Sequence, residues 1–262
     1  MADEIVDAEK ERRNKNGKCP MKRLPLIMLF CLTILTACQQ AQVSSLGRYT
    51  YSDAPLPDAK PALMTSPNWK KYNTPLQVIY KIDDHRSITL ESYDNCSGET
   101  WYNDTKSGVR TRIGHTSPNG FLGKLIIDDQ TGMNVAVPTV TTGSCGDRGC
   151  RNYLAYSTDG GKSFNWLQYD SNHISFDSVK SSKDYSFYVT SDSLYIAKKW
   201  GNFGNDLIDR YPLRLGYVYG KNAKLPEGVS IQFGSTLPKG LRTPSGQDHY
   251  ICDTSILPTS GD

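Results

Sequence analysis

Short runs in which apolar and polar residues alternate, punctuated by Gly, Pro, Asn and Asp, constrain this chain more than any other feature. Leu76, Val78, Tyr80 and Ile82 alternate against Gln77 and Lys81, a turn follows at Asp83-Asp84-His85-Arg86, and residues 87–92 return. Period-2 alternation buries one face of a strand and wets the other. Residues 100–102 and 109–113 flank the turn-rich stretch 103–108, and residues 122–127 and 133–137 flank 128–132; both read as hairpins. Residues 153–156, 164–169, 185–190 and 194–198 continue the series. No window of about 12 residues carries a helical stripe. The 22 Gly and 14 Pro suit many short strands joined by turns. The expected fold is therefore all-β, an antiparallel meander arranged as a sandwich or propeller-like body.

One hairpin has a sharper signature. Ser157-Thr158-Asp159-Gly160-Gly161-Lys162-Ser163-Phe164 resembles the Asp-box, Ser-x-Asp-x-Gly-x-Thr-Trp, with Ser163 and Phe164 in the last two places. In that motif the Asp carboxylate fastens the turn, a Gly takes positive φ and the aromatic ring plugs the core. The motif is common in sialidase-like propellers, where it is structural and lies away from catalysis. A single copy argues against a complete six-bladed propeller.

The N-terminus supplies an address. Lys22 and Arg23 precede an apolar run, Leu24–Leu35, that is too short to span a bilayer and reads as a secretory signal. Leu35-Thr36-Ala37-Cys38 matches the bacterial lipobox, so Cys38 is the expected site of lipid attachment. Several acyl chains anchor stably where one does not. Gln39, in the place of the Asp that retains lipoprotein in the inner membrane, favours the outer membrane facing the periplasm. The resulting organisation is an upstream extension at 1–20, a lipoprotein signal peptide at 21–37, a lipidated tether and Pro-rich lead-in at 38–75, and one β-rich domain at 76–262. Residues 1–20 are acidic and then basic, unlike a signal peptide. Either translation begins at Met21, or a longer form masks the signal and stays in the cytosol. Removing the seven Lys/Arg and five Asp/Glu of residues 1–37 leaves a net charge of +1, so a partner would be recognised by local patches and not by bulk field.

Of seven cysteines, Cys19 and Cys31 leave with the leader and Cys38 is lipidated; Cys96, Cys145, Cys150 and Cys252 remain. An even number after export implies two disulfides with three connectivities. Cys145-Gly-Asp-Arg-Gly-Cys150 closes a small loop, which favours Cys145–Cys150 and leaves Cys96 with Cys252. A zinc site is disfavoured, since no Cys-x-x-Cys occurs and the four histidines are scattered.

Composition and motifs exclude several functions. A net charge of +3 gives no drive for nonspecific nucleic-acid binding, and a mean hydropathy of −0.51 excludes a polytopic membrane protein. No Gly-x-Ser-x-Gly elbow and no phosphate-cradling glycine loop occur. The pairs Asp83-Asp84 and Asp128-Asp129 read as solvated turn residues in preference to a general acid and base. No catalytic residue, metal or cofactor is expected. What remains is surface. Lys199, Trp200 and Phe203 place two aromatics and a cation outside a strand, and Arg148 and Arg151 flank Cys150. Trp and Arg are residue types that anchor interfaces, although Trp200 also suits a cap on the core.

Several stretches resemble the enterobacterial family of immunity lipoproteins paired with type VI secretion lipase effectors. They are Tyr80-Lys81-Ile82-Asp83-Asp84-His85-Arg86, Tyr102-Asn103-Asp104-Thr105, Cys145-Gly146-Asp147-Arg148-Gly149-Cys150, the Asp-box segment 156–164, Ser182-Lys183-Asp184-Tyr185, and Gly240-Leu241-Arg242-Thr243-Pro244-Ser245-Gly246-Gln247-Asp248-His249. The resemblance implies a non-enzyme that binds and inhibits a cognate phospholipase effector in the periplasm and protects the producer from its siblings. It transfers no contact residue. The alternative is a glycan-binding or degenerate sialidase-like envelope lipoprotein, suggested by the Asp-box.

Overall fold

A computed structural model describes residues 70–141, 145–147, 149–170, 175–201, 206–219 and 224–259. The signal segment, Cys38, and the tether up to residue 69 lie outside the described residues, as do Arg148 and Phe203. The strands are β1 (Gln77–Lys81), β2 (Arg86–Asp94), β3 (Ser97–Asp104), β4 (Val109–Thr116), β5 (Lys124–Asp128), β6 (Val135–Pro138), β7 (Tyr153–Ser157), β8 (Asn165–Gln168), β9 (Tyr185–Thr190), β10 (Ser193–Lys199) and β11 (Asp206–Pro212). One five-residue helix, α1 (Ser178–Ser182), precedes β9. The strands form three sheets, ordered β1-β2-β3-β4, β6-β7-β8 and β11-β10-β9-β5.

The all-β expectation holds, with two departures at the level of strands. In β1 the register slips between Val78 and Tyr80. That irregularity turns Val78 out to solvent while Ile79 and Tyr80 are both buried, so strict alternation fails there. The second departure concerns residues 122–137, expected as a hairpin. The structure separates its arms: β5 pairs with β9 in parallel and β6 pairs with β7. Asp129 fastens the turn between them, and the pairing of β5 with the edge of β9 separates the arms. The Asp129 carboxylate, fully buried, accepts from the Thr131 backbone N–H at 2.9 Å, the Thr131 hydroxyl at 2.6 Å and the Asn134 N–H at 2.7 Å. The turn it fastens hands the chain from one sheet to the next. Every other strand pairing is antiparallel. A parallel neighbour needs a long crossover, and β6 to α1 provide it.

The Asp-box hairpin joins β7 to β8 as expected. Asp159 accepts from the Ser163 N–H at 3.0 Å and its hydroxyl at 2.6 Å, and the Ser157 hydroxyl oxygen accepts from the Gly161 N–H at 2.9 Å. Gly161 has φ +79° and packs so closely that a Cβ there would run into the Tyr102 ring. Phe164 meets Tyr102 edge-on at 6.1 Å. The hairpin thus plugs the first sheet into the shared core.

All three sheets contribute to one apolar core, including Ile88, Leu90 and Tyr102, Val137 and Tyr156, and Phe187 and Leu194. A strap from Thr243 to Thr259 closes it. β1 and β5 are edge strands of different sheets, and the strap lies along both. The Ser245 N–H donates to the Ile82 carbonyl at 3.0 Å, Ile251 N–H to Ile79 at 2.9 Å, and Leu125 N–H to the Asp248 carbonyl at 2.9 Å. Between them the buried Tyr80 hydroxyl meets the Leu125 carbonyl at 2.7 Å and the Thr243 hydroxyl at 2.6 Å. Covering exposed edges in this way removes a site for aberrant strand addition. Cys252 in the strap bonds Cys96 at the β2–β3 turn, with Cα atoms 6.2 Å apart, and Cys145 bonds Cys150. Both pairings are the favoured ones.

Candidate interaction surface

The start of β7, the residues just after β8 and the start of α1 meet around one buried residue, Asn152. Its side chain accepts from the Thr141 N–H at 2.9 Å and donates to the Ser178 carbonyl at 3.3 Å, while its backbone N–H donates to Asp170 at 2.8 Å. Beside it the Cys150 N–H donates to the Ser175 carbonyl at 2.7 Å. These bonds fix the backbone on either side of Arg151, whose side chain is exposed.

The helix α1 is held by hydroxyls where a longer helix would use apolar side chains. Asp177 caps it by accepting from the Lys180 N–H at 2.8 Å. Ser178, Ser181 and Ser182 are buried. Ser182 accepts from the Leu122 N–H at 2.9 Å and donates to the Val179 carbonyl at 2.7 Å. Two residues beyond the helix, the Asp184 carbonyl accepts from the Lys199 N–H at 2.8 Å. The Lys199–Trp200 corner is thereby tied to the end of α1.

Asp170, two residues past β8, accepts from the Asn152 N–H and the Gln168 amide. It is 3% exposed, and burial pushes its carboxyl up to about 6, against the opposing pull of the Asn152 N–H, the Gln168 amide and Lys198. Lys198 stacks over the Tyr185 ring at 5.5 Å and its ammonium is pulled below the ordinary lysine range by burial. Tyr153, whose hydroxyl is bonded by Arg151, is pushed up by burial as well. Arg151 thus adjoins Asn152, which bonds Asp170, and Lys199–Trp200 follow Lys198, whose charge acts on Asp170.

Around α1, three large apolar side chains stand out to solvent: Leu122 at 50%, Phe176 at 68% and Trp200 at 48% exposure. Trp200 is a half-exposed corner residue, not a core cap. Exposed cations surround them, namely Arg151, Lys180, Lys183 and Lys199, against the acids Asp177 and Asp184. This combination of apolar anchors and a polar, cationic rim is the composition of a protein-binding surface. Leu122, Phe176 and Asp170 are members the sequence reading did not single out. Phe176 follows a short stretch without strand or helix periodicity, and Asp170 carries no motif.

The carboxylates of the first sheet lie in turns. Asp83 accepts from the His85 N–H at 3.0 Å, the Arg86 N–H at 2.7 Å and the Arg86 guanidinium at 2.6 Å. Those bonds outweigh burial and hold its carboxyl below the usual range. Asp104 accepts from the Ser107 hydroxyl at 2.6 Å and from the Lys106 N–H at 2.9 Å, and contacts the His85 ring at 2.8 Å. Its bonds bring it down to about 2 despite burial. These carboxylates fasten turns. Among the described residues, no three His, Cys, Asp or Glu side chains gather in a way that holds a metal ion, and no helix is long and apolar enough to cross a membrane.

Residues 72–198 match the family described as the T6SS Tli3 immunity protein. The match begins five residues before β1 and stops one residue short of the end of β10; β11 and the strap, with Cys252, lie beyond it. No curated protein matches the chain. Among solved structures, TolB from Acinetobacter baumannii is similar at 13% identity and a TM-score of 0.30, over 72% of this chain and 45% of that one.

Proposed function

We propose that this chain, which carries the type VI secretion immunity domain of the Tli3 family at residues 72–198, binds and inhibits a cognate phospholipase effector at the periplasmic face of the envelope. The family match is the observation that carries the reading. It supports an immunity role, in which the chain acts by contact and turns over no substrate. The lipobox at Cys38 supports placement, since an anchored inhibitor is concentrated at the membrane a lipase attacks.

The contact face in this reading is the α1 end, through Arg151, Lys199 and Trp200; Arg148 and Phe203 are proposed as contacts from the sequence alone and lie outside the described residues. A rigid surface loses little freedom on binding. Asn152 and the Cys145–Cys150 link supply that rigidity here. The glycan-binding alternative rested on the Asp-box, and that hairpin spends its aromatic ring on the core.

Arg151→Glu/Lys199→Glu and Trp200→Ala test the assignment. All three positions are exposed, so the fold is expected to stand. Each variant should weaken co-purification with the effector at least about tenfold, the usual effect of losing one interface anchor. Unchanged inhibition of the lipase by both variants would move the contact face elsewhere.

A further inference from the structure

The chain enters the described domain along a seam with its own C-terminal strap. Residues 73–79 and 251–259 run antiparallel. The Thr259 N–H donates to the Asn73 carbonyl at 3.2 Å, the Asp253 N–H to the Gln77 side chain at 2.8 Å, and the Ile251 N–H to the Ile79 carbonyl at 2.9 Å. On the strap, Cys252 and Ile256 pack toward the core. Ile251 and Leu257 point the other way and are 66% and 70% exposed. On the first segment the register slip turns Val78 outward, and Val78 and Leu76 are 53% and 54% exposed. Four large aliphatic side chains are thus presented along one hydrogen-bonded pair of segments. Scattered single exposures are ordinary in folded proteins, but clustered ones mark a contact surface.

Position and charge identify what covers them. We infer that this seam is the face the domain lays against a phospholipid bilayer. The inference deepens the lipoprotein reading and rests on it. The segment leads directly back from Lys70 to Cys38, roughly 32 residues that reach at most about 110 Å when fully extended. The domain is therefore confined near the anchoring membrane, and the seam holds the first described residues after the tether. Exposed Lys70 and Lys71 stand at the seam's start, with Lys70 over the Tyr72 ring at 5.2 Å. Asp253, held ionised by its bonds to Ser255, is the one acid on these segments. An aliphatic strip beside an aromatic ring and two lysines suits an anionic interface: the apolar groups enter the headgroup boundary and the lysines meet lipid phosphates.

The test uses the mature chain from residue 38 with Cys38→Ser, exported behind a leader that is not a lipoprotein signal. No acyl chain then contributes. Vesicles of about three parts phosphatidylethanolamine to one part phosphatidylglycerol are the probe. Co-sedimentation is compared with Leu76→Ser/Val78→Ser/Ile251→Ser/Leu257→Ser, checked for both disulfides by mass and for folding by circular dichroism. The expected result is vesicle binding that falls at least about tenfold in the variant and weakens partly in salt. Equal binding by the two proteins, or none by either, overturns the inference. So does a dimer of the Cys38→Ser chain that only the variant dissociates, since the seam would then join two copies. Failure of the anchor reading is separate: mass spectrometry of the cellular protein would find Cys38 without acyl chains, leaving the vesicle comparison standing.

Discussion

Removing the Cys96–Cys252 link by Cys96→Ala/Cys252→Ala should destabilise the domain far more than removing Cys145–Cys150 the same way. The first closes 156 residues of sequence separation and the second 5. On chain entropy alone these loops differ by a factor of about 30, giving about 5 kcal/mol for the long loop and about 2 kcal/mol for the short one. For a domain of this size each kcal/mol moves Tm by about 2–4 °C, so the long link should account for about 10–20 °C and the short one for about 4–8 °C. The loss should also be local. Without Cys252 the strap is held by backbone bonds at Ile82, Ile79 and Leu125 and by the Tyr80 hydroxyl. Calorimetry gives the first quantity. Hydrogen exchange gives the second, through lost protection of the Ser245, Ile251 and Leu125 amides. A Tm change of equal size in the two variants, or an unchanged exchange pattern along β1 and β5, would refute the assignment of the strap as the element that joins the two sheets.

Other outcomes follow from single residues. Burial lifts the Asp170 carboxyl from the ordinary aspartate range to about 6; raised, it costs stability as pH climbs through that window and the carboxylate ionises in a buried place. Asp170→Asn should therefore gain up to about 3 kcal/mol relative to the parent between pH 4 and 7, read as a Tm difference that opens with rising pH. Constancy of that difference would contradict the burial argument. At the Asp-box, Gly161→Ala meets both positive φ and the Tyr102 ring and should cost more than about 3 kcal/mol, while Gly160→Ala, also at positive φ but with only the Gly132 carbonyl at an ordinary 3.6 Å, should cost about 1 kcal/mol. Urea unfolding separates the two, and equal costs would remove the close packing from the account. Tyr80→Phe deletes the hydroxyl shared by Leu125 and Thr243 and should cost about 1–3 kcal/mol in the same assay.

Local rules made much of the fold readable. The β3–β4 and β7–β8 hairpins follow from alternation and turn chemistry within 20 residues of sequence, and the Asp-box predicts its own bonds. Non-local features were not readable. β5 and β6 look like two arms of a hairpin because Asp129 makes a tight turn, yet edge pairing with β9 decides where β5 goes. β11, Asp-Leu-Ile-Asp-Arg-Tyr-Pro, is a partly exposed edge strand in which exposed Leu207 stands next to half-buried Ile208 and no alternation is kept. The strap has no period at all, because its bonds go to whichever edge it passes. The interaction surface divides the same way. Trp200 and Arg151 are visible by residue type, but the bonds that hold their neighbours, Lys199 to Asp184 and Asn152 to Asp170, are non-local, and α1 escapes notice because serines, not leucines, bury it.

The most direct measurement of the central claim is a titration of the cognate phospholipase with the purified mature chain, following lipid hydrolysis and complex formation together. The account predicts a complex of nanomolar Kd and activity that falls to zero as the ratio reaches one to one, a range typical of protein inhibitors. Full hydrolysis at micromolar concentrations of the chain, with no complex detected, would contradict it.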